Sequence, residues 1–409
     1  MTGVGVVSPL GSMPAFWEGL RAGRSGIAVV ADAADVPAGA PRLEARARDW
    51  GARDHVRPAL LRRMDHCSQM VVSACRMALA DAQLDLAGDE AEAAGVVVGT
   101  AFGNLSESED FVRGLFAKGP ALANPLTFPN LVLNSAAGYV AIELGLLGPN
   151  LTVVRGEASG EAALATAWDT LASGHAEVVL AGGCDELAPV LRHIYTDLGL
   201  LSPNDGGEEW SSPFDRRRNG VVMGEGAAIL VLETARHAAA RRARVLAELV
   251  GSVSENLAAS PHDWPTPETA AHADDTRRGL AGLGFEPAAH AGATLVVSCA
   301  DSSVRVDRAE AARIAAVLGT AAPRALVTSI KGAIGEFGAA GALGAVAAVL
   351  ALHDGGFPRL ASLGAPDAEC LLTLAGPRAA APAEGFSHAL VSATPRGGGA
   401  ITLLFRSVA

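Results

Sequence analysis

Aromatic side chains make up only 4% of this 409-residue chain, and its five cysteines (Cys67, Cys75, Cys184, Cys299 and Cys370) are odd in number and form no Cys-x-x-Cys pair. A disulfide framework is excluded on those grounds, and a zinc site has no ligand spacing to stand on. Long apolar runs are also missing. The most apolar segment, residues 339–352, is too short and too rich in Ala and Gly to span a bilayer. The start of the chain, "MTGVGVVSPLGS", carries neither a basic leader nor an extended apolar stretch, so no signal peptide is expected. Clustered basic charge is scarce beyond Arg216, Arg217 and Arg218, which disfavours a nucleic-acid partner. The expectation is a soluble cytoplasmic protein that uses no metal or other cofactor and engages neither membrane nor nucleic acid.

What is plentiful is small and apolar. Half the residues are hydrophobic, with many Ala and Gly, and the net charge of -12 is mild for this length. The length suits two fused domains of ordinary size. Short apolar runs with strand character occur at residues 4–7, 95–99, 152–154, 178–181, 228–232, 295–298, 325–329, 389–392 and 401–405. Helical stretches lie at 14–22, 60–83, 107–117, 136–146, 160–173, 307–318 and 340–352. This alternation predicts an α/β layered fold with largely buried sheets.

Two segments are built alike. "TVVRGEASGEAALATAWDTLASG" and "ALVTSIKGAIGEFGAAGALGAVAAVLALHDGG" each read as strand, Gly-bearing turn and small-residue helix. Helices so poor in charge are buried all round. The repetition predicts duplicated α-β-α-β-α layered halves, 1–240 and 241–409, with the paired helices packed at the centre. Residues 235–247, "ARHAAARRARVLA", read as a basic surface helix at the boundary, and 258–266 as a loop over the second half.

The first of these segments poses a chemical question. A strand that turns sharply into a helix aims unpaired N–H groups and a positive dipole end at the residue on the turn, which is how a nucleophile is activated there. The residue on this turn is Glu157.

The chain resembles a β-ketoacyl synthase of the thiolase superfamily, and the likeness runs over essentially its whole length. "TGVGVVSPLG" is similar to the family's opening strand, "GLLGPNLTVV" to the lead-in to its nucleophile elbow, and "SPFDRRRNGVVMGEGAAILVLE" to a long block that is rarely met by chance. The resemblance implies the thiolase-like fold. It also implies a Cys at the elbow that carries the acyl chain and two His that promote decarboxylation and stabilise the oxyanion. Alignment on Ser159-Gly160 puts Glu157 at the Cys position. "CADSSVRVDRAEA" matches the first His motif, with Asp307 and Glu310 retained and Cys299 in place of His. "KGAIGEFGAAG" matches the second, with Lys331 retained and Glu336 in place of His.

Loss of all three catalytic positions on an intact framework resembles the chain-length factor, the ketosynthase β subunit of type II polyketide synthases. That resemblance implies a non-condensing partner of an active ketosynthase α subunit, which receives its chain from an acyl carrier protein. It further implies a tunnel gate on the helix in "NLSESEDFVRGLFAKGP", at Leu105, Ser108 and Val112, whose spacing puts them on one helical face. Two other readings stand beside it. One is a malonyl-acyl carrier protein decarboxylase or priming subunit that uses Glu157 or Glu336 as a base, which the charge-stabilising helix end and the second carboxylate disfavour. The other is a fold kept only for dimer stability. Three local expectations follow. Glu157 and Glu336 should converge, with Lys331 as their neutralising cation. Cys299 should be buried strand packing. The strand around 178–181 should lie at the partner interface.

Overall fold

The computed structural model describes residues 1–30, 36, 40–203, 206–260 and 262–408, so residue 261 of the expected 258–266 loop lies outside the described residues. One sheet contains β1 (Gly3–Val7), β2 (Ala94–Gly99), β3 (Asn150–Val153), β4 (Val178–Asp185) and β5 (Gly226–Glu233), in the order β1-β5-β4-β2-β3. The other contains β6 (Glu248–Asn256), β7 (Thr294–Ser298), β8 (Leu326–Thr328), β9 (Thr373–Leu374), β10 (His388–Ala393) and β11 (Gly399–Arg406), in the order β9-β8-β7-β10-β11-β6. Without β9 the two sheets have one plan. Two antiparallel pairings on one side are followed by two parallel pairings on the other, with strands entering in the same chain order. This is the duplicated thiolase-like fold.

The helices that position the site are α1 (His66–Ala82), α2 (Leu105–Lys118), α3 (Ser135–Leu144), α4 (Ser159–Ala172), α5 (Pro189–Asp197), α6 (Val304–Leu318) and α7 (Ala340–Asp354). Between the sheets lie α4 and α7, one from each half. Apart from Gly341, every residue of α7 from Ala340 to Leu352 is buried, as its lack of charged residues requires. The two helices touch through their first turns. A Cβ on Gly160 would stand 2.6 Å from the Ala342 nitrogen, and one on Gly341 would meet the Glu161 carboxylate. Only glycine lets the backbones approach so closely.

Two expectations need correction. The 178–181 run belongs to β4, which sits in the middle of its sheet and is buried along its whole length. The edges of this sheet are β1 and β3, and of the two it is β3 that is open, paired only to β2, with Asn150 and Leu151 exposed. An unbroken apolar run such as "VVLAGG" is the mark of a strand covered on both faces, whereas an edge strand carries polar residues. The boundary helix is also shorter than expected. It spans Ala235–Ala240, after which Arg242 takes a left-handed conformation (φ 56°) and the chain turns into β6. That strand is an edge as well, and its serines hid it from a search for apolar runs.

Among the described residues no helix is long and apolar enough to cross a membrane, and no group of three or more His, Cys, Asp or Glu is arranged to hold a metal.

Candidate functional site: a closed elbow

The first elbow forms where β3 ends. Gly156 adopts φ 54°, a short 3-10 turn covers Gly156–Ala158, and α4 starts at Ser159. Ser159 braces the turn: its hydroxyl accepts from the Arg155 N–H at 2.9 Å and donates to the Gly156 carbonyl at 2.7 Å. Glu157 sits on the corner, as the sequence predicts, but its cation is not Lys331. Arg396 donates from Nε to Glu157 Oε1 at 2.6 Å and from its backbone N–H to Oε2 at 3.3 Å. The guanidinium also lies over the ring of Trp264, 5.2 Å from its centroid. An ion pair backed by an aromatic face therefore covers the turn.

The second elbow follows β8. Lys331 begins a short helix, Lys331–Ile334, and its Nζ lies 2.5 Å from Glu336 Oε2, both side chains being buried. Backbone pairing fixes Glu336: its N–H donates to the Val222 carbonyl at 2.8 Å, and its carbonyl accepts from the Gly224 N–H at 2.9 Å. Burial pushes the Glu336 carboxyl up to about 8 against the opposing charge of Lys331, with Asp301 and Glu157 adding to the push. Burial alone would lower Lys331, but the adjacent Glu336 carboxylate, with Asp301 adding to it, holds it well above its ordinary value. The two acids have separate cations, Arg396 for Glu157 and Lys331 for Glu336.

Cys299 is buried beyond the end of β7. Its sulfur accepts from the Thr394 N–H at 3.2 Å, and burial, reinforced by Glu310, drives the thiol far above its ordinary value. Burial and a raised thiol keep little thiolate there, the reverse of what activates a cysteine. The two retained acids bind backbone and hydroxyl groups. Asp307 accepts from the N–H groups of Phe214 at 2.6 Å, Asp301 at 3.0 Å and Ser302 at 3.1 Å. Glu310 accepts from the Ser298 hydroxyl at 2.8 Å and from the Thr394 hydroxyl.

Sequence reasoning missed four residues here. Arg396 and Trp264 close the first elbow, Tyr195 of α5 stands within the field of Glu157, Glu336 and Arg396, and Glu161 is wholly buried one turn into α4. Glu161 Oε2 has no hydrogen-bond partner among the described residues, and burial pushes its carboxyl up to about 7. The signal for Arg396 was an arginine directly before the Gly397-Gly398-Gly399 run, a stretch whose backbone freedom had drawn all the notice.

Leu105, Ser108 and Val112 do share a face of α2, but it is not a buried wall within this chain. Leu105 packs against the apolar cluster that includes Leu187, Leu191, Tyr195 and Met223, Ser108 is half-buried, and Val112 is 45% exposed. The face emerges from the protein along the helix.

Residues 1–238 match the family model "Beta-ketoacyl synthase, N-terminal domain", and residues 246–363 match "Beta-ketoacyl synthase, C-terminal domain". The chain belongs to the beta-ketoacyl synthase family. Among curated members it is 35% identical over 256 residues to 3-oxoacyl-(acyl-carrier-protein) synthase 2 of Synechocystis sp., and 34% identical over 255 residues to the protein of the same name from Staphylococcus aureus. These matches span 61% of the chain and 61% of each relative. Among solved structures, the ishigamide ketosynthase/chain length factor superposes with a TM-score of 0.89 at 27% identity, covering 100% of this chain and 98% of that one. A type II polyketide synthase acyl-carrier protein in complex with its ketosynthase bound to the hexaketide gives 0.85 at 25% identity, covering 100% and 98%. A beta-ketoacyl synthase from Burkholderia phymatum gives 0.87 at 28%, covering 100% and 99%. Within this family framework, the three positions that the resemblance assigns to catalysis hold a paired carboxylate, a buried thiol and a second paired carboxylate.

Proposed function

We propose that this chain is a non-condensing ketosynthase-like subunit that pairs with an active ketosynthase and shapes the tunnel that sets polyketide chain length. The observation that carries the reading is the first elbow, where Glu157 and Arg396 neutralise each other on the turn that would otherwise present a nucleophile. A carboxylate held by a guanidinium is a weak nucleophile towards a thioester, and Cys299 and Glu336 supply no imidazole to protonate or stabilise an enolate.

Two surfaces support the partners. The segment that runs from α2 to the open edge strand β3 carries exposed apolar side chains at Phe116 (86% exposed), Leu126 (85%), Phe128 (61%), Ile142 (63%) and Leu147 (74%). A sheet edge rimmed by such residues matches the anatomy of an obligate interface, which buries more than about 2,000 Å². A ketosynthase partner seated there would face the end of α2, so that Ser108 and Val112 become tunnel wall between the two chains. For the acyl carrier protein, Arg53, Arg62 and Arg63 are exposed before α1, and their side chains have no ion-pair partner among the described residues. In a chain of net charge -12, such exposed arginines suit the phosphodiester-linked arm of a carrier protein.

One observation favours a second reading. Burial raises the Glu336 carboxyl to about 8, close to the pH at which a general base works best, as the decarboxylase reading requires. The test is to assay the purified chain, alone and coexpressed with its ketosynthase, against malonyl-acyl carrier protein. The proposal expects condensation only in the complex. Release of carbon dioxide by the lone chain, without elongation, would favour the decarboxylase instead.

A further inference from the structure

We infer that Asp185 and Glu186, consecutive residues at the end of β4, are positioning residues that set where α2 stands, and through it the length of chain the tunnel admits. The inference rests on the reading of α2 as tunnel wall.

The start of α2 is not capped from within. Asn104, at the N-cap, makes no side-chain cap, and its Nδ2 is buried without a partner among the described residues. The cap comes from 80 residues away: Glu186 Oε1 accepts from the Ser106 N–H at 2.6 Å. One residue earlier, Asp185 gathers the turn before the helix. Its Oδ1 accepts from the Thr100 hydroxyl at 2.7 Å and from the N–H groups of Ala101 at 3.0 Å, Phe102 at 2.9 Å and Gly103 at 3.3 Å. The Thr100 hydroxyl closes the turn by accepting from the Gly103 N–H at 2.8 Å. Four backbone donors between residues 101 and 106 therefore end on two adjacent, buried carboxylates. A carboxylate at a helix N-terminus is also favoured by the helix dipole.

The anchor reaches the degenerate site. A Cβ on Gly338, two residues beyond Glu336, would stand 2.1 Å from the Ala101 Cβ, 3.0 Å from Asp185 Oδ2 and 3.1 Å from the Gly156 carbonyl. The turn before α2, the loop of the second elbow and the corner of the first elbow thus meet at Asp185. Beyond its first turn α2 loses this support, and by Phe116 the helix stands in the open. A helix of 14 residues is about 21 Å long, so a tilt of about 10° at its base moves the far end by about 4 Å. Ser108, near the base, moves about 1 Å and Val112 about 2 Å. Small changes at the two carboxylates are therefore magnified along the face proposed to measure the chain.

The experiment compares Glu186→Gln, Asp185→Asn and Glu186→Asp in the full complex with the ketosynthase and a carrier protein, with Ser108→Phe as the reference. Two quantities are read: amide hydrogen exchange over residues 101–108 and the distribution of product lengths at matched complex levels. Loss of a cap shifts a local equilibrium by about fivefold. Glu186→Gln and Asp185→Asn should therefore exchange about fivefold faster there and spread the products over more lengths, while Glu186→Asp, which keeps the charge, recovers part of both. A purely structural role would lower the yield of complex and leave the distribution alone. Unchanged exchange, or unchanged product lengths while Ser108→Phe shortens them, overturns the inference and leaves the wall reading standing. If Ser108→Phe also leaves the lengths unchanged, the wall reading falls and this inference falls with it.

Discussion

The two elbows come from one duplicated plan, yet they neutralise their acids differently. In the first half a short connection ending in the 3-10 turn Gly156–Ala158 joins strand to helix, and Glu157 is held by an arginine from the far end of the chain, with its side chain 14% exposed. In the second half a longer connection buries Glu336 against Lys331, five residues away, and ties it into the backbone of residues 222–224. The first pair is a partly exposed cover over the turn. The second is a buried strut. Burial separates the two acids: the first lies in a partly exposed cover, the second in a buried strut.

The largest expected effect lies at the strut. Glu336→Leu leaves the Lys331 ammonium buried and unpaired and should cost about 3–5 kcal/mol in urea unfolding. Lys331→Met should cost less, because a carboxyl already near 8 can take a proton and remain neutral. Equal losses in the two variants would mean that both groups are charged only as a pair.

Between the elbows, Glu161 provides a pH test. Its carboxyl stands near 7 in the folded chain, above the ordinary 4.5, because of burial. A group raised on folding contributes its full stability below about pH 4.5, and this contribution is lost as the pH climbs through 7. The loss is on the order of 3 kcal/mol. Glu161→Gln has no proton to lose, so its stability relative to the parent should rise between pH 4.5 and 7, with unfolding followed in urea across that range. A constant difference would show that Glu161 is charged in the folded chain.

The contact between the halves comes next. Gly160→Ala drives a methyl towards the Ala342 nitrogen and should cost about 1–3 kcal/mol. A neutral result would mean that α4 and α7 yield at their crossing. The smallest effect belongs to the cover. Arg396→Ala removes a partly exposed pair, so thermal unfolding should register about 1 kcal/mol or less. A loss as large as that of Glu336→Leu would erase the distinction between cover and strut.

Much of this was legible along the chain. The nine strand runs and the two small-residue helices are local signals, and so is the sharp turn at Glu157, where a β-branched run meets glycine and then alanine. The β-ketoacyl synthase framework was carried by one long block of residues. What escaped detection depends on distance. Arg396 reaches Glu157 across 239 residues, and Glu186 caps α2 across 80. No periodicity or spacing encodes such pairings, because only the fold brings their members together. The misplaced edge strand had a different cause: the run at 178–181 was read for its hydrophobicity and not for its lack of alternation.

The central claim is that chemistry belongs to the partner and space to this chain. The most direct measurement uses the complex with a carrier protein and malonyl donor, prepared once with the partner's catalytic cysteine intact and once with that cysteine changed to alanine. The account predicts elongated product from the first preparation, and none from the second or from the lone chain. Elongated product without the partner's cysteine would contradict it, since the only elbow left to carry the growing chain would be the one closed by Glu157 and Arg396.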